Sequence, residues 1–156
     1  MNYYLDTEFN GFGGALMSLA LVREDGESLY MVFPKPYRPD DWVLANVTPL
    51  LHDVPESVWV AEVPIEAAPA LIWRFLYGDA DPVIHTDWPD DVRYFCQAVI
   101  VGPGQMAPIP SLKFQVHRVD AYPTDLPGAV KHNAWWDAMA LRHILQHPRT
   151  DGGGRE

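Results

Sequence analysis

Apolar runs separated by short turn-forming stretches fill the first part of the chain. Residues 2–8 and 14–22 are rich in apolar and aromatic side chains, and they predict two β-strands joined by a glycine-rich turn. A second turn over 24–27 leads to a third apolar run over 28–34, which Pro34 ends. Three strands with short connections predict an antiparallel meander.

The rest of the chain alternates helical and strand patterns. Helices are predicted over 41–46, 65–77, 89–100 and 132–147, strands over 81–87 and 112–119, and loops over 102–111 and 121–131. This order predicts an α/β fold in which helices pack against a mixed five-stranded sheet. We expect one domain over 1–148 and a polar, disordered tail over 149–156.

Charge and composition narrow the class of protein. The 156 residues include 11 basic and 21 acidic side chains, for a net charge of −10. Tight binding of long duplexes is disfavoured, because it needs many cationic contacts to phosphate. The charge does not exclude a protein that binds a short polyanion through bound cations. The single cysteine, Cys96, excludes an internal disulfide and a cysteine-rich zinc site.

The apolar runs are also informative about location. None approaches the ~20 residues of a membrane span, and no basic-then-apolar leader precedes the first predicted strand. We therefore expect a cytoplasmic protein that does not enter a membrane.

Two carboxylates lie two residues apart near the end of the first predicted strand. Side chains at i and i+2 of a strand share a face, so Asp6 and Glu8 project side by side and raise each other's pKa. The pair fits either an exposed strand end or a cation site. Asp137 lies within an apolar stripe of the last predicted helix, although a helix dipole also favours an acid in the first turn.

Further candidate residues surround a proline and precede the last helix. Asp87, Asp90 and Asp91 flank Pro89 at a strand-to-helix junction, where acids are common. Apolar or aromatic residues follow Asp91 at offsets one, three and four, which directs that helix face inward. A histidine, His132, precedes Asp137 by five residues, but a lone histidine is usually a surface or capping residue.

Taken in chain order, these motifs resemble those of the DEDDh 3′–5′ exonucleases of the ribonuclease H-like superfamily. That family carries Asp-x-Glu on its first strand, an aspartate at a middle helix and a terminal His-x4-Asp. Here the first and last motifs are Asp6-Thr7-Glu8 and the segment from His132 to Asp137. The resemblance covers residues 2–145 approximately. In its compactness the chain is similar to the small bacterial and phage exoribonuclease-like members of the family.

The middle motif departs from the family pattern. Aligning its later apolar positions places the aspartate at Asp91, with Asp87 in reserve, whereas counting from His85 gives Asp90. We take Asp91 as the expected residue.

The resemblance implies a metal-dependent exonuclease on a ribonuclease H-like fold. The side chains of Asp6, Glu8, Asp91 and Asp137 would hold two Mg²⁺ or Mn²⁺ ions, with His132 as the general base. The implied substrate is the 3′ end of short single-stranded RNA or DNA, with RNA favoured. Aromatic surfaces for stacking the terminal base are offered by Phe9, Phe12 and Trp135. The alternative is a catalytically weak or inactive nucleic-acid-binding module of the same fold, and a homodimer is left open.

Overall fold

The computed structural model describes residues 1–34, 38–119 and 126–148. Over these ranges the chain forms an α/β fold with a mixed six-stranded sheet, a separate two-stranded hairpin and α-helices. The strands are β1 (Asn2–Phe9), β2 (Leu16–Arg23), β3 (Ser28–Val32), β4 (Val60–Glu62), β5 (Val83–Thr86), β6 (Ile100–Gly102), β7 (Gln105–Met106) and β8 (Lys113–Val116). The helices are α1 (Asp41–Asn46), α2 (Ala68–Leu76), α3 (Pro89–Ala98) and α4 (Ala134–Gln146), with 3-10 turns at Thr48–Leu50 and Ile65–Ala67. The tail predicted over 149–156 lies outside the described residues, as does part of the loop predicted over 121–131.

Strand β1 lies in the interior of the sheet, whose order is β4-β3-β2-β1-β5-β8. The β1–β2 and β2–β3 pairs are antiparallel, as the meander prediction requires. On the other side of β1, strand β5 runs parallel to it, and β8 runs parallel to β5. Because β1 and β5 are parallel, their carboxyl ends meet at one edge of the sheet, where ligand sites of α/β proteins commonly form.

The prediction of five strands is wrong by one. The additional strand, β4, pairs parallel with β3 and is only three residues long, too short for an alternating pattern to show in the sequence. Part of the loop predicted over 102–111 also forms β7, which pairs with β6 in the small hairpin. The third predicted helix accordingly ends at Ala98, two residues early.

Hydrophobic clusters cover both faces of the sheet. Helices α2 and α3 pack on the face that carries Tyr3 and Leu5, whereas α1 and α4 pack on the face that carries Tyr4. By the alternation along β1, Asp6 and Glu8 lie on the α4 face and Thr7 lies on the α3 face. Among the helices of the described ranges, none is both long and apolar enough to cross a membrane.

Candidate metal centre

The Asp6–Glu8 pair lies near the carboxyl end of β1, on partly buried positions. Opposite Glu8 on β2 is Ser18, and the pairing register shifts between Glu8 and Phe9, as it does at a β-bulge. Bulges bend a strand and change the direction of its side chains, and they are frequent beside functional sites. The strand therefore stops regular pairing at the point where its two acids project.

Five carboxylates converge at this edge of the sheet. In one group, a carboxylate oxygen from each of Asp6, Glu8 and Asp137 lies within 4.8 Å of the others. In a second group, the same holds for Asp6, Asp87 and Asp91. Since Asp6 belongs to both groups, the two sets of oxygens are adjacent and share one carboxylate, and each set could hold a cation.

The structure thus brings together the four acids expected from the sequence and adds the reserve residue Asp87. The third aspartate of the junction, Asp90, belongs to neither group of oxygens. It lies in the first turn of α3 and pairs with the Arg93 guanidinium at 3.1 Å. Counting the middle motif from His85 to Asp90 therefore does not lead to the acid cluster.

The carboxylate of Asp91 is held by two threonines. Its Oδ1 accepts the backbone N–H of Thr7 at 3.1 Å and the Thr7 hydroxyl at 2.6 Å, and its Oδ2 accepts the Thr86 hydroxyl at 2.5 Å. Only 1% of Asp91 is exposed. Neither threonine was expected at the site from the sequence, although Thr7 stands between the two acids of the first motif.

Burial and mutual repulsion raise the pKa of the clustered acids. Burial, followed by the neighbouring carboxylates, raises the pKa of Asp6 well above its usual range and that of Glu8 to about 8. For Asp91, burial raises the pKa to about 7 against the hydrogen bonds from the two threonines, which lower it. Burial likewise raises the pKa of Asp137 to about 7. Bound cations would relieve this repulsion and favour the ionised forms.

Asp137 lies in the first turn of α4 with its two oxygens in different environments. Its Oδ2 accepts the backbone N–H of His132 at 3.1 Å. Its Oδ1 is buried and has no hydrogen-bond partner among the residues that the structure describes. A buried carboxylate oxygen without a hydrogen-bond donor is unfavourable. Coordination of a divalent cation by this oxygen would compensate for the missing donor. The residues therefore fit a cation at this position.

His132 adopts a backbone conformation that is uncommon for its residue type. Its φ is 62°, in the left-handed region, where strain in a non-glycine residue often accompanies a functional site. The next residue, Asn133, fixes the segment: its side chain caps α4 and donates to the Leu50 carbonyl at 2.6 Å. The imidazole of His132 lies edge to face against Trp42, with ring centroids 5.1 Å apart. Burial, and then the Lys131 charge, lower the pKa of the imidazole and so favour its neutral form.

A cleft of about 280 Å³ opens beside the acids. Its lining includes the following residues: Glu8, Phe9, Gly11, Phe12, Trp42, Val43, Val47, Trp88 and Asp90. Three aromatic rings of this lining are strongly exposed: Phe12 at 96%, Trp42 at 57% and Trp88 at 59%. Phe9 is also in the lining and stacks on Tyr94 at 4.7 Å between centroids. The sequence did not single out the two tryptophans, because Trp42 lies in the six-residue helix α1, which is too short to show a period, and Trp88 lies at the β5–α3 junction.

Trp135, expected at the substrate surface, lies elsewhere. It is 7% exposed, belongs to the cluster under α4, and donates its indole N–H to the Ser28 hydroxyl at 3.0 Å. Its neighbour Trp136 is similarly buried and donates to the Asp53 carbonyl. The structure corrects this assignment, because a ring inside the core cannot stack on a base.

No protein-family model matches the sequence, and a comparison with curated proteins finds no significant match.

Proposed function

We propose that this protein is a metal-dependent 3′–5′ exonuclease with a ribonuclease H-like fold, acting on the 3′ end of short single-stranded nucleic acid, RNA in preference to DNA. The observation that carries the proposal is the presence of two clusters of three carboxylates each, which share Asp6 and lie at the edge of a mixed sheet. The product would be nucleoside 5′-monophosphates.

Two hard divalent cations, Mg²⁺ or Mn²⁺, suit the all-oxygen environment. One would be held by Asp6, Glu8 and Asp137, and the other by Asp6, Asp87 and Asp91. Such a pair stabilises the attacking and leaving oxygens of an in-line phosphoryl displacement. The buried, unpaired Oδ1 of Asp137 supports the first of these two positions.

His132 would accept the proton of the attacking water on its imidazole. Its lowered pKa favours the neutral form that a base needs at neutral pH. Its backbone N–H is engaged with Asp137, which ties the position of the residue to the acid cluster. The contact with Trp42 orients the ring.

The exposed aromatic rings of the cleft would bind unstacked bases. Base–aromatic stacking contributes ~1–3 kcal/mol per base and tolerates any sequence. A net charge of −10 leaves few cations for following a long phosphate backbone. Recognition would therefore concentrate on the terminal nucleotides, in contact with Phe12, Trp42 and Trp88.

The test is incubation of 5′-labelled RNA and DNA oligomers with Mg²⁺, Mn²⁺ or EDTA, with circularised oligomers of the same sequence alongside. We expect stepwise shortening of linear strands with either cation, none in EDTA, and no cutting of circles. Asp6→Asn, purified identically, controls for contaminating nucleases. Full activity in EDTA would refute the proposal, cutting of circles would indicate an endonuclease, and binding without cleavage would support the inactive binding module.

A further inference from the structure

We propose that the hydroxyl groups of Thr7 and Thr86 are positioning groups for the cation site at Asp6, Asp87 and Asp91. The inference rests on the proposed function, since it concerns one of the two cation positions described above. It assigns a role to two residues that carry no charge and that the sequence motifs do not single out.

The first support is the way the two parallel strands separate. Pairing between β1 and β5 ends at Tyr4 and His85, three residues before Thr7 on β1. Thr7 and Thr86 therefore lie beyond the last residue pair of the β1–β5 ladder. The Thr7 N–H instead donates to Asp91 Oδ1. A carboxylate from α3 thus closes the opening between the strands at the site.

The second support is that the hydrogen bonds come from both sides of this opening. Thr7 on β1 donates to Oδ1, and Thr86 at the end of β5 donates to Oδ2. Both threonines are buried, at 5% and 0% exposure, so bulk water does not compete for these hydrogen bonds. The two bonds from hydroxyls, at 2.6 and 2.5 Å, have the short lengths of bonds to a charged acceptor.

Counting acceptor sites shows what these bonds leave for a cation. An ionised carboxylate offers about four lone-pair directions. Thr7 takes two through its N–H and hydroxyl, and Thr86 takes one, so about one direction remains on Asp91. The rotation of a free carboxylate is soft, whereas donors on both oxygens fix its plane. Asp91 is therefore presented to Asp6 and Asp87 as a single, oriented ligand.

The experiment measures binding of Mn²⁺ alone by isothermal titration calorimetry, with melting temperatures in EDTA recorded in parallel. The variants are Thr7→Val and Thr86→Val, which keep the shape and remove the hydroxyl, and Thr7→Ser and Thr86→Ser, which restore it. Thr86→Ala removes the hydroxyl without an added methyl and is measured in case a valine does not fold. Thr48→Val is the matched control, because the buried Thr48 hydroxyl has no hydrogen-bond partner within the described ranges.

We expect two Mn²⁺ ions per wild-type chain. Loss of either hydroxyl should weaken one of the two by ~10–100-fold, as for other groups that orient a ligand, and leave the second unchanged. The serine variants and Thr48→Val should bind both ions like the wild type. If the valine and alanine variants bind Mn²⁺ normally, even with lowered melting temperatures, the threonines are only structural and the inference is wrong. Failure of the wild type to bind Mn²⁺ at all would instead overturn the proposed function.

Discussion

At the level of single residues, His132 is the proposed proton acceptor, and its role can be separated from cation binding. The hydrogen bond from His132 to Asp137 is donated by the backbone N–H, and a substitution keeps that group. His132→Ala should therefore lower kcat by ~10²–10⁴ with Mn²⁺ affinity nearly unchanged. Activity assays and calorimetry with Mn²⁺ check the two parts.

The variant His132→Asn is the matched comparison, because asparagine tolerates the left-handed conformation at φ 62° better than alanine does. Both variants should lose activity, and His132→Asn should retain the wild-type melting temperature more closely. A loss of Mn²⁺ affinity as large as that of Asp137→Asn would identify the histidine as a ligand instead.

For the clustered acids, we expect substitutions to change activity and stability in opposite directions. Asp6→Asn and Asp137→Asn should abolish turnover yet raise the melting temperature of the metal-free protein at pH 8, because each removes one charge from a buried, mutually repelling cluster. Each kcal/mol relieved corresponds to roughly 2–4 °C for a chain of this size. Thermal unfolding in EDTA, followed by circular dichroism, measures the effect. Asp53→Asn on the exposed surface is the control and should change neither quantity; a lower melting temperature in both cluster variants would contradict the repulsion argument.

At the level of elements, the turn between β1 and β2 determines where the aromatic residues of the cleft lie. The turn is closed by hydrogen bonds from Asn10 N to the Ala15 carbonyl and from Tyr94 Oη to the Gly14 carbonyl. A Cβ at Gly14 would come within 1.7 Å of the Asn10 carbonyl oxygen, so the turn could not keep its shape. Gly14 is therefore required by close backbone contact.

Gly14→Ala should accordingly lower the melting temperature and raise KM for oligomers more than it lowers kcat, because Phe9 and Phe12 shift while the acids remain. Gly102→Ala is the matched control: this glycine is also half-buried, lies outside the cleft and outside the left-handed region, and a Cβ there would meet the Gln105 side chain at an ordinary 3.8 Å. Unchanged stability and KM in Gly14→Ala would show that the turn adapts and does not position the aromatic rings.

The elements also explain how far the sequence could predict the site. Asp6, Glu8 and Asp137 could be singled out from their spacing on β1 and within the last helix, whereas His132 became a candidate only through the resemblance of the terminal motif. The β5–α3 junction has no such period, so sequence alone could not show that Asp87 and Asp91 both reach Asp6. Their proximity to Asp6 depends on contacts between segments that lie far apart in the sequence.

Aromatic residues were harder to predict for a related reason. A tryptophan in a helix pattern looks the same whether it faces the core or the cleft, and Trp135 proved to be buried. Trp42 and Trp88 flank helix starts, and their exposure depends on how α1 and α3 pack. The position of an aromatic side chain relative to the site is thus a tertiary property.

At the level of the whole molecule, the acid cluster should make stability depend on pH. The pKa of Asp91 and Asp137 is raised to about 7 and that of Glu8 to about 8, in each case mainly by burial. The folded protein therefore retains protons that the unfolded chain releases near pH 4. The resulting stabilisation is complete below that pH and is lost as pH rises through 7 to 8.

Histidines act in the opposite direction at lower pH. Burial lowers the pKa of His85, His117 and His132, so their effect on stability rises with pH and is complete above ~6.5. Over the window from pH 6.5 to 8.5 the carboxyl groups therefore dominate the change in stability, because most of the histidine effect lies at lower pH. In EDTA, the melting temperature should fall across this window, by on the order of 5 °C or more, and Asp137→Asn should show a smaller fall.

Mn²⁺ should counteract this trend, because the cation binds the ionised carboxylates and its binding releases their protons. The rise in melting temperature on adding a fixed excess of Mn²⁺ should thus grow from pH 6.5 to 8.5, since tighter binding to the folded state stabilises it more. Paired unfolding scans with EDTA and with Mn²⁺, at constant ionic strength, measure both slopes. Two results would contradict this argument: a melting temperature in EDTA that rises over this window, or a Mn²⁺ effect that shrinks as pH increases. Either would mean that the clustered carboxyl groups are already ionised in the metal-free protein and that cations are not needed to hold them together.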